Sequence, residues 1–279
     1  MTAYADEALA ALASAADRVA FPRVRALHLP PPPAADEDRG EFAALELDDG
    51  TLGLTFVLLG DTWARLRRDA PGLALGGRAA LEVARGAGSD DPIERTVGFA
   101  AVNALTRLVF DRAAFAPHVS DDSIGLLDPQ PGETVGMIGY FRPLVPQIVA
   151  RGARVLVVEL RADLVGEHDG VRVTLDATEL ERCEKVLCTG ALILNDTLDR
   201  MLGHCRRARS IALVGPTVGG PPDPLFARGV TALGGRWVTD SSRYAQALGA
   251  GTSTSAFARK FTMTAARYPG WRALVEAAR

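Results

Sequence analysis

The 279 residues are 48% hydrophobic and 23% charged, with 28 Gly and 17 Pro, a mixture typical of folded globular chains and not of disordered or fibrous ones. A net charge of −3 offers no electrostatic footprint for holding nucleic acid or an anionic membrane surface. The length suits one large or two ordinary domains, either of which buries a full core without staples.

All but Lys185 and Lys260 of the 31 basic residues are arginine, the bias of a GC-rich genome. Three cysteines, Cys183, Cys188 and Cys205, form an odd set that fits a reducing compartment better than a disulfide framework. The expected location is the cytoplasm. Residues 8–16 are apolar and small, but Asp6 and Glu7 stand where a signal peptide would be positive, so an amphipathic first helix is expected there. The longest strongly apolar run, 51–60, is far short of the roughly 20 residues a membrane span needs.

In chain order, 24–28 reads as a short strand and 29–38 as an exposed loop, because Pro30, Pro31, Pro32 and Pro33 remove backbone donors. Residues 41–47 and 51–58 flank Asp48-Asp49-Gly50, the pattern of a β-hairpin. A helix capped by Asp61 runs through Arg68, Gly76-Gly77 interrupts, and 78–85 continues as a short helix. A longer helix starts near Asp90 or Asp91 with Pro92 in its first turn. It places Ile93, Val97, Ala100, Ala104 and Leu108 on one stripe, which should pack on the hairpin.

From about Pro129 the texture changes to short aliphatic runs at 134–138, 154–159, 185–189, 211–214 and 236–239, each followed by Gly or Pro and a helical pattern. Strands alternating with helices predict a doubly wound, parallel α/β sheet. Pro117, Asp121, Asp122, Asp128, Pro129 and Pro131 mark a linker. The expected division is an α+β domain over 1–120 and a Rossmann-like α/β domain over 121–279.

Open parallel sheets bind ligands beyond the carboxyl ends of their strands, so the residues in those loops matter most. The first strand leads into Gly139-Tyr140-Phe141-Arg142-Pro143. The G-x-x-G spacing of Gly136 and Gly139, with bulky Tyr140 and Phe141 following, is not the dinucleotide fingerprint. NAD is therefore disfavoured. Tyr140 and Phe141 read either as a stacking platform for a flat ligand or as packing against the neighbouring domain, and Arg142 as an anion partner. Glu159 ends the second strand where an acid often meets a ribose hydroxyl, or is a strand-end charge.

After the third strand, Thr189 and Asn195 could reach a ligand, and Asp196 or Thr197 could cap the next helix. Gly215-Pro216-Thr217-Val218-Gly219-Gly220 follows the fourth strand without the Lys of a phosphate loop. It reads as amides for an anion or as a stiff connection. Asp240 after the last strand either caps a helix or points into the cleft. For metal, Cys183 and Cys188 are five apart and His204 adjoins Cys205, with no C-x-x-C or H-E-x-x-H anywhere. Neighbouring helical residues point about 100° apart, so buried free cysteines are the expectation. No G-x-S-x-G supports a serine hydrolase.

Several stretches together resemble a known family. They are 98–105 with Asn103, 135–141 with Gly139, Tyr140 and Phe141, Thr189-Gly190 with 195–199, 214–217 with Gly215 and Pro216, and 229–240 closing on Asp240. In this order they resemble the putative heavy-metal chelation domain family, with its enolase N-terminal-like companion domain. The resemblance implies an enolase N-terminal-like domain, a Rossmann-like domain, and a site between them. It carries Asn103, Gly139, Tyr140, Phe141, Thr189, Asn195, Gly215, Pro216 and Asp240 to that interdomain cleft. Glu159 joins from topology alone, and Arg142 as the anion partner in the loop after the first strand.

The expected function is binding of a small polar or planar ligand, in synthesis, modification or handling of a metal chelator. Tyr140 and Glu159 would be the proton-transfer groups if the protein is an enzyme. A non-catalytic metal or metabolite sensor and a nucleotide-cofactor-dependent enzyme are the alternatives. No cofactor is assigned, although a metal ion is compatible with the resemblance. The partners expected are a small-molecule ligand or metal chelate, without nucleic acid or membrane. The sequence leaves homo-oligomers open.

Overall fold

The computed structural model describes residues 3–32, 42–120, 122–124, 126–168 and 170–278. The first helix, α1 (Ala3–Ala16), precedes a three-stranded antiparallel sheet of β1 (Val24–His28), β2 (Phe42–Leu47) and β3 (Leu52–Phe56). The turn at 48–50 is left-handed at Gly50, φ +87°, the conformation that glycine adopts without steric cost. Helices α2 (Thr62–Asp69) and α3 (Ala80–Ala84) follow, then the long α4 (Pro92–Arg112). The Asp91 carboxylate caps α4 by accepting the Ile93 N–H at 2.7 Å.

The stripe of α4 packs on the hairpin as its spacing predicts. A Cβ on Gly53 of β3 would lie 2.0 Å from the Ala100 carbonyl oxygen, so strand and helix touch backbone to backbone. Yet α4 is more than amphipathic: fifteen of its 21 residues are buried. A helix apolar all round is covered on every side, and here the cover comes from both sheets. The loop expected to be exposed differs too. Pro30 is buried, and a Cβ on Gly251 would meet Pro31 at 2.6 Å. Four prolines cannot pair in a sheet, but their rings still pack; residues 33–38 of that loop lie outside the described residues.

The second sheet has nine strands: β4 (His118–Val119), β5 (Thr134–Ile138), β6 (Arg154–Val158), β7 (Gly166–His168), β8 (Val171–Thr174), β9 (Lys185–Thr189), β10 (Ser210–Val214), β11 (Ala232–Val238) and β12 (Ala258–Thr264). Between them run α5 (Val145–Val149), α6 (Ala191–Leu194), α7 (Leu198–Gly203), α8 (Asp223–Ala227) and α9 (Ser241–Gly249), and α10 (Trp271–Ala277) closes the chain. The order is β4-β12-β11-β10-β9-β5-β6-β8-β7. Six neighbouring strands, β11 to β8, are parallel. Counted along the chain they lie 3-2-1-4-5-6, the doubly wound Rossmann order. The expected fold class, a mostly parallel α/β sheet preceded by an α+β region, is what the chain adopts.

Three features depart from the sequence reading. The crossover from β6 to β8 uses a single 3-10 turn, 162–164, and the β7–β8 hairpin instead of an α-helix. The last parallel strand begins at Ala232, not 236. Its Gly234-Gly235 pair, which looks like an interruption, is required: a Cβ on Gly235 would fall 2.8 Å from the Phe261 ring of β12. Finally, β12 is an antiparallel strand that the alternation of strand and helix does not predict.

Alternation along the parallel strands sends side chains to two cores. Val135, Met137, Val155, Val157 and Leu187 fill one face. Ile138, Leu156, Val186 and Leu213 fill the other, in a core continuous with Leu12 of α1, Leu105 of α4 and Trp271 of α10. Among the described residues no helix is long and apolar enough to cross a membrane.

Candidate functional site

The strand order makes β5 the turning point: the chain builds outward through β6 on one side and through β9 on the other. In doubly wound sheets the loops at such a switch point diverge, and ligands lie beyond the carboxyl ends of the strands that correspond to β5 and β9 here. Gly139 sits there with φ +84°, and a Cβ on it would lie 3.0 Å from Thr189 Cγ2. The row continues through Gly190, whose N–H donates to the Val214 carbonyl at 2.8 Å, to Gly215. Thus Gly139, Thr189 and Gly215 are brought together along one edge.

At the outer end of this row the loop after β5 is held by Glu159. One carboxylate oxygen accepts the Tyr140 N–H at 2.9 Å and the other the Leu160 N–H at 2.8 Å. Tyr140 and Phe141 are partly buried against the core of the large sheet that holds Met137 and Ile148. The Arg142 guanidinium lies over the Tyr140 ring, 5.2 Å from its centroid. The loop leads into a 3-10 turn and the five-residue α5, and β9 into the four-residue α6. Helices this short supply little dipole to a pyrophosphate.

The inner end of the row is closed by the front region. Asn103 of α4 donates from Nδ2 to the Leu54 carbonyl at 2.7 Å and to the Thr217 carbonyl at 2.9 Å. The Phe56 N–H donates to Thr217 Oγ1 at 3.0 Å. A Cβ on Gly219 would lie 3.1 Å from Asn103 Cγ, and one on Gly220 would lie 2.5 Å from the Tyr4 hydroxyl. Burial pushes that hydroxyl's pKa well above the usual tyrosine value. Asn103 is 4% exposed, and its Oδ1 has no hydrogen-bond partner among the described residues. It faces a cavity of about 40 Å3 shared with Leu54, Arg107, Pro216, Gly219 and Trp237. The Arg107 guanidinium stacks 3.7 Å from the Trp237 ring centroid and pairs with Asp111.

Two predicted residues take other roles. Asp240 caps α9, accepting the Arg243 N–H at 3.0 Å. Asn195 accepts the Thr197 hydroxyl at 2.5 Å, so this pair folds its own turn. Asp196 is left-handed, φ +57°, and Thr197 occupies the N-cap of α7 without a side-chain bond. The Thr197 hydroxyl is turned to Asn195 and does not cap the helix.

The cysteines are free and buried. Burial raises the Cys183 thiol to about 11, and the contact with Cys205, together with burial, raises Cys188. His204 pairs with Glu181 at 3.0 Å. Among the described residues no three His, Cys, Asp or Glu side chains converge to hold a metal ion.

The row of strand-end loops contains several of the residues predicted from sequence. Sequence reasoning missed Arg25, His28 and Glu46, which meet across the front sheet: His28 Nε2 lies 2.7 Å, and Arg25 Nη1 2.9 Å, from the Glu46 carboxylate. No local motif announces a cluster assembled by β1–β2 pairing.

Two family models, both described as "Putative heavy-metal chelation", match residues 41–106 and 122–267. The chain is 29% identical over 184 residues to an uncharacterized protein of Methanocaldococcus jannaschii, spanning 63% of this chain and 68% of that one. Crystal structures of two proteins of unknown function from the same family are similar in fold. The one from Desulfitobacterium hafniense has a TM-score of 0.67 at 20% identity, covering 92% of this chain and 98% of its own. The one from Pyrococcus horikoshii has a TM-score of 0.65 at 20% identity, covering 92% and 99%.

Proposed function

The chain belongs to the putative heavy-metal chelation family, and from that premise we propose that the switch-point crevice receives a small polar or planar molecule tied to metal handling. That molecule is a chelator, its precursor or its metal complex. The observation that carries this reading is the meeting of Gly139, with its positive φ, and Thr189 at the reversal of strand order. There a residue without a Cβ turns the chain beside the Thr189 side chain at the place where doubly wound sheets take their ligands. The metal enters as cargo of the organic ligand, since among the described residues no three donor side chains converge on an ion.

Within the crevice the Tyr140 ring, backed by Arg142, offers a face to a flat ligand and a cation to an anionic one. Thr189 contributes its hydroxyl, whose oxygen already accepts the Ala191 N–H at 3.2 Å. Both Glu159 oxygens accept amide protons. Each keeps further acceptor capacity, but the carboxylate's first effect is to fix the loop. This favours binding and carriage over proton transfer by Tyr140 and Glu159.

The test is thermal unfolding of untagged protein with divalent metals alone, metal–citrate complexes and adenosine cofactors, joined to mass spectrometry of co-purifying small molecules. A ligand present at a hundred times its Kd stabilises the folded state by about 2.7 kcal/mol. The expected result is a shift with an organic chelate that exceeds the shift with metal alone and is lost in Tyr140→Ala. A shift with adenosine cofactors only would replace this reading with a nucleotide-dependent enzyme. Turnover of an identified ligand that vanishes in Glu159→Gln would restore the catalytic assignment.

A further inference from the structure

A second opening lies away from the switch point. One face of the front sheet, carrying Ala44, Leu52 and Leu54, packs on Tyr244 and Leu248 of α9. Near β1 the sheet and the start of α9 border a groove of about 500 Å3, lined by Arg25, His28, Glu46, Asp49, Ser241 and Ser242. The cavity at Asn103 is about 40 Å3, room for little more than ordered water. The groove instead falls in the range of small-molecule sites, roughly 300–1,000 Å3.

Its walls carry both signs of charge. Glu46 is 16% exposed and is gripped by Arg25 and His28, so it fixes both side chains. Arg25 also donates to the Asp48 carbonyl; a guanidinium has five N–H groups, leaving others for a ligand. Asp49 adds a carboxylate whose Oδ1 accepts the Thr51 N–H at 3.0 Å. Opposite, Ser241 and Ser242 are the first two residues of the nine-residue α9, where backbone N–H groups lack partners within the helix. A simple anion would sit beside Glu46 and Asp49. A simple cation would sit beside Arg25 and the Ser241 and Ser242 N–H groups, which the Asp240 cap on the Arg243 N–H leaves without a partner in the helix. A molecule with an ammonium and a carboxylate satisfies both.

We propose that this groove binds a free amino acid or a zwitterion of that size. Its carboxylate meets Arg25 and the Ser241–Ser242 donors, and its ammonium meets Asp49. The inference is independent of the reading of the switch-point crevice.

Calorimetric titration of the full chain with the standard amino acids tests it, followed for any binder by its methyl ester and its N-acetyl derivative. The expected result is saturable binding of at least one amino acid. Each derivative, having lost one charge, should bind about tenfold or more weakly, the effect of one charged hydrogen bond. Asp49→Asn should weaken binding by about tenfold while keeping the turn, because an Asn oxygen can still accept the Thr51 amide. Ser242→Asp should weaken it similarly without lowering the melting temperature, because a carboxylate is favourable in the first turn of a helix. Three outcomes would overturn the proposal. They are no saturable binding at millimolar concentrations, binding indifferent to blocking either charge, and binding that survives both variants but disappears in Tyr140→Ala.

Discussion

The two ends of the strand-end row arise from the same topology and have opposite characters. At the inner end, Asn103 and Thr217 are 4% and 2% exposed, and the Asn103 amide bridges the Leu54 carbonyl to the Thr217 carbonyl, which also accepts the Gly219 N–H at 2.9 Å. At the outer end Leu160 is 78% exposed, and one carboxylate, Glu159, organises the loop. Asn103, which family resemblance carries to a ligand, is thus a fastener between α4, β3 and the loop after β10. The difference teaches that position at a sheet's carboxyl edge gives opportunity for binding, while burial decides which residues can use it.

Substitutions can break or sharpen this contrast. The largest effect is expected at the contact beneath the inner end: Gly53→Ala places a Cβ 2.0 Å from the Ala100 carbonyl oxygen, and overpacking against backbone should cost about 3 kcal/mol or more, measured by urea unfolding. Asn103→Ala should cost about 2 kcal/mol, because the Leu54 carbonyl loses its side-chain donor while the Thr217 carbonyl keeps only the Gly219 N–H. A loss below half a kilocalorie would refute its role as a fastener.

Asp91→Ala should cost about 1 kcal/mol, the usual worth of an N-cap, with a pH signature. The Ile93 N–H holds the Asp91 carboxyl below its ordinary range. The cap's charge-dependent contribution is therefore complete above the ordinary aspartate pKa of about 3.9 and is lost as pH falls through the depressed value. Melting curves of wild type and variant should differ by a constant amount near neutrality and converge in acid. Smallest of all, Tyr140→Phe should change stability by less than about 0.5 kcal/mol, with any effect appearing in ligand binding. A larger stability loss would show that the outer end is also structural.

Much of this architecture was legible. Asp48-Asp49-Gly50 announced its hairpin, Asp91-Pro92 opened α4, and the aliphatic runs of β5, β6 and β9 matched their observed bounds to within a residue. These signals are local, and local chemistry decides them. By contrast, β12 carries Arg259 and Lys260 in succession, and only pairing with β11 makes an antiparallel strand of it. Glycines at 234 and 235 disguised the start of β11 because what they meet lies on other strands: Val214 of β10 beside Gly234 and the Phe261 ring of β12 beside Gly235. The site divides in the same way. Gly139 and Thr189 follow from strand ends, whereas Arg25, Glu46 and Ser242 meet only after two sheets and a helix are assembled.

Because α4 is walled in by both sheets, neither stands as an independent building block. Its Phe110 ring lies 6.3 Å from that of Trp237 and 6.4 Å from that of Trp271, while its Ala100 and Ala104 press on Gly53. Severing the chain between α4 and β4 would bare an aromatic surface on each fragment, so the two pieces should aggregate when produced separately and recover solubility only when produced together.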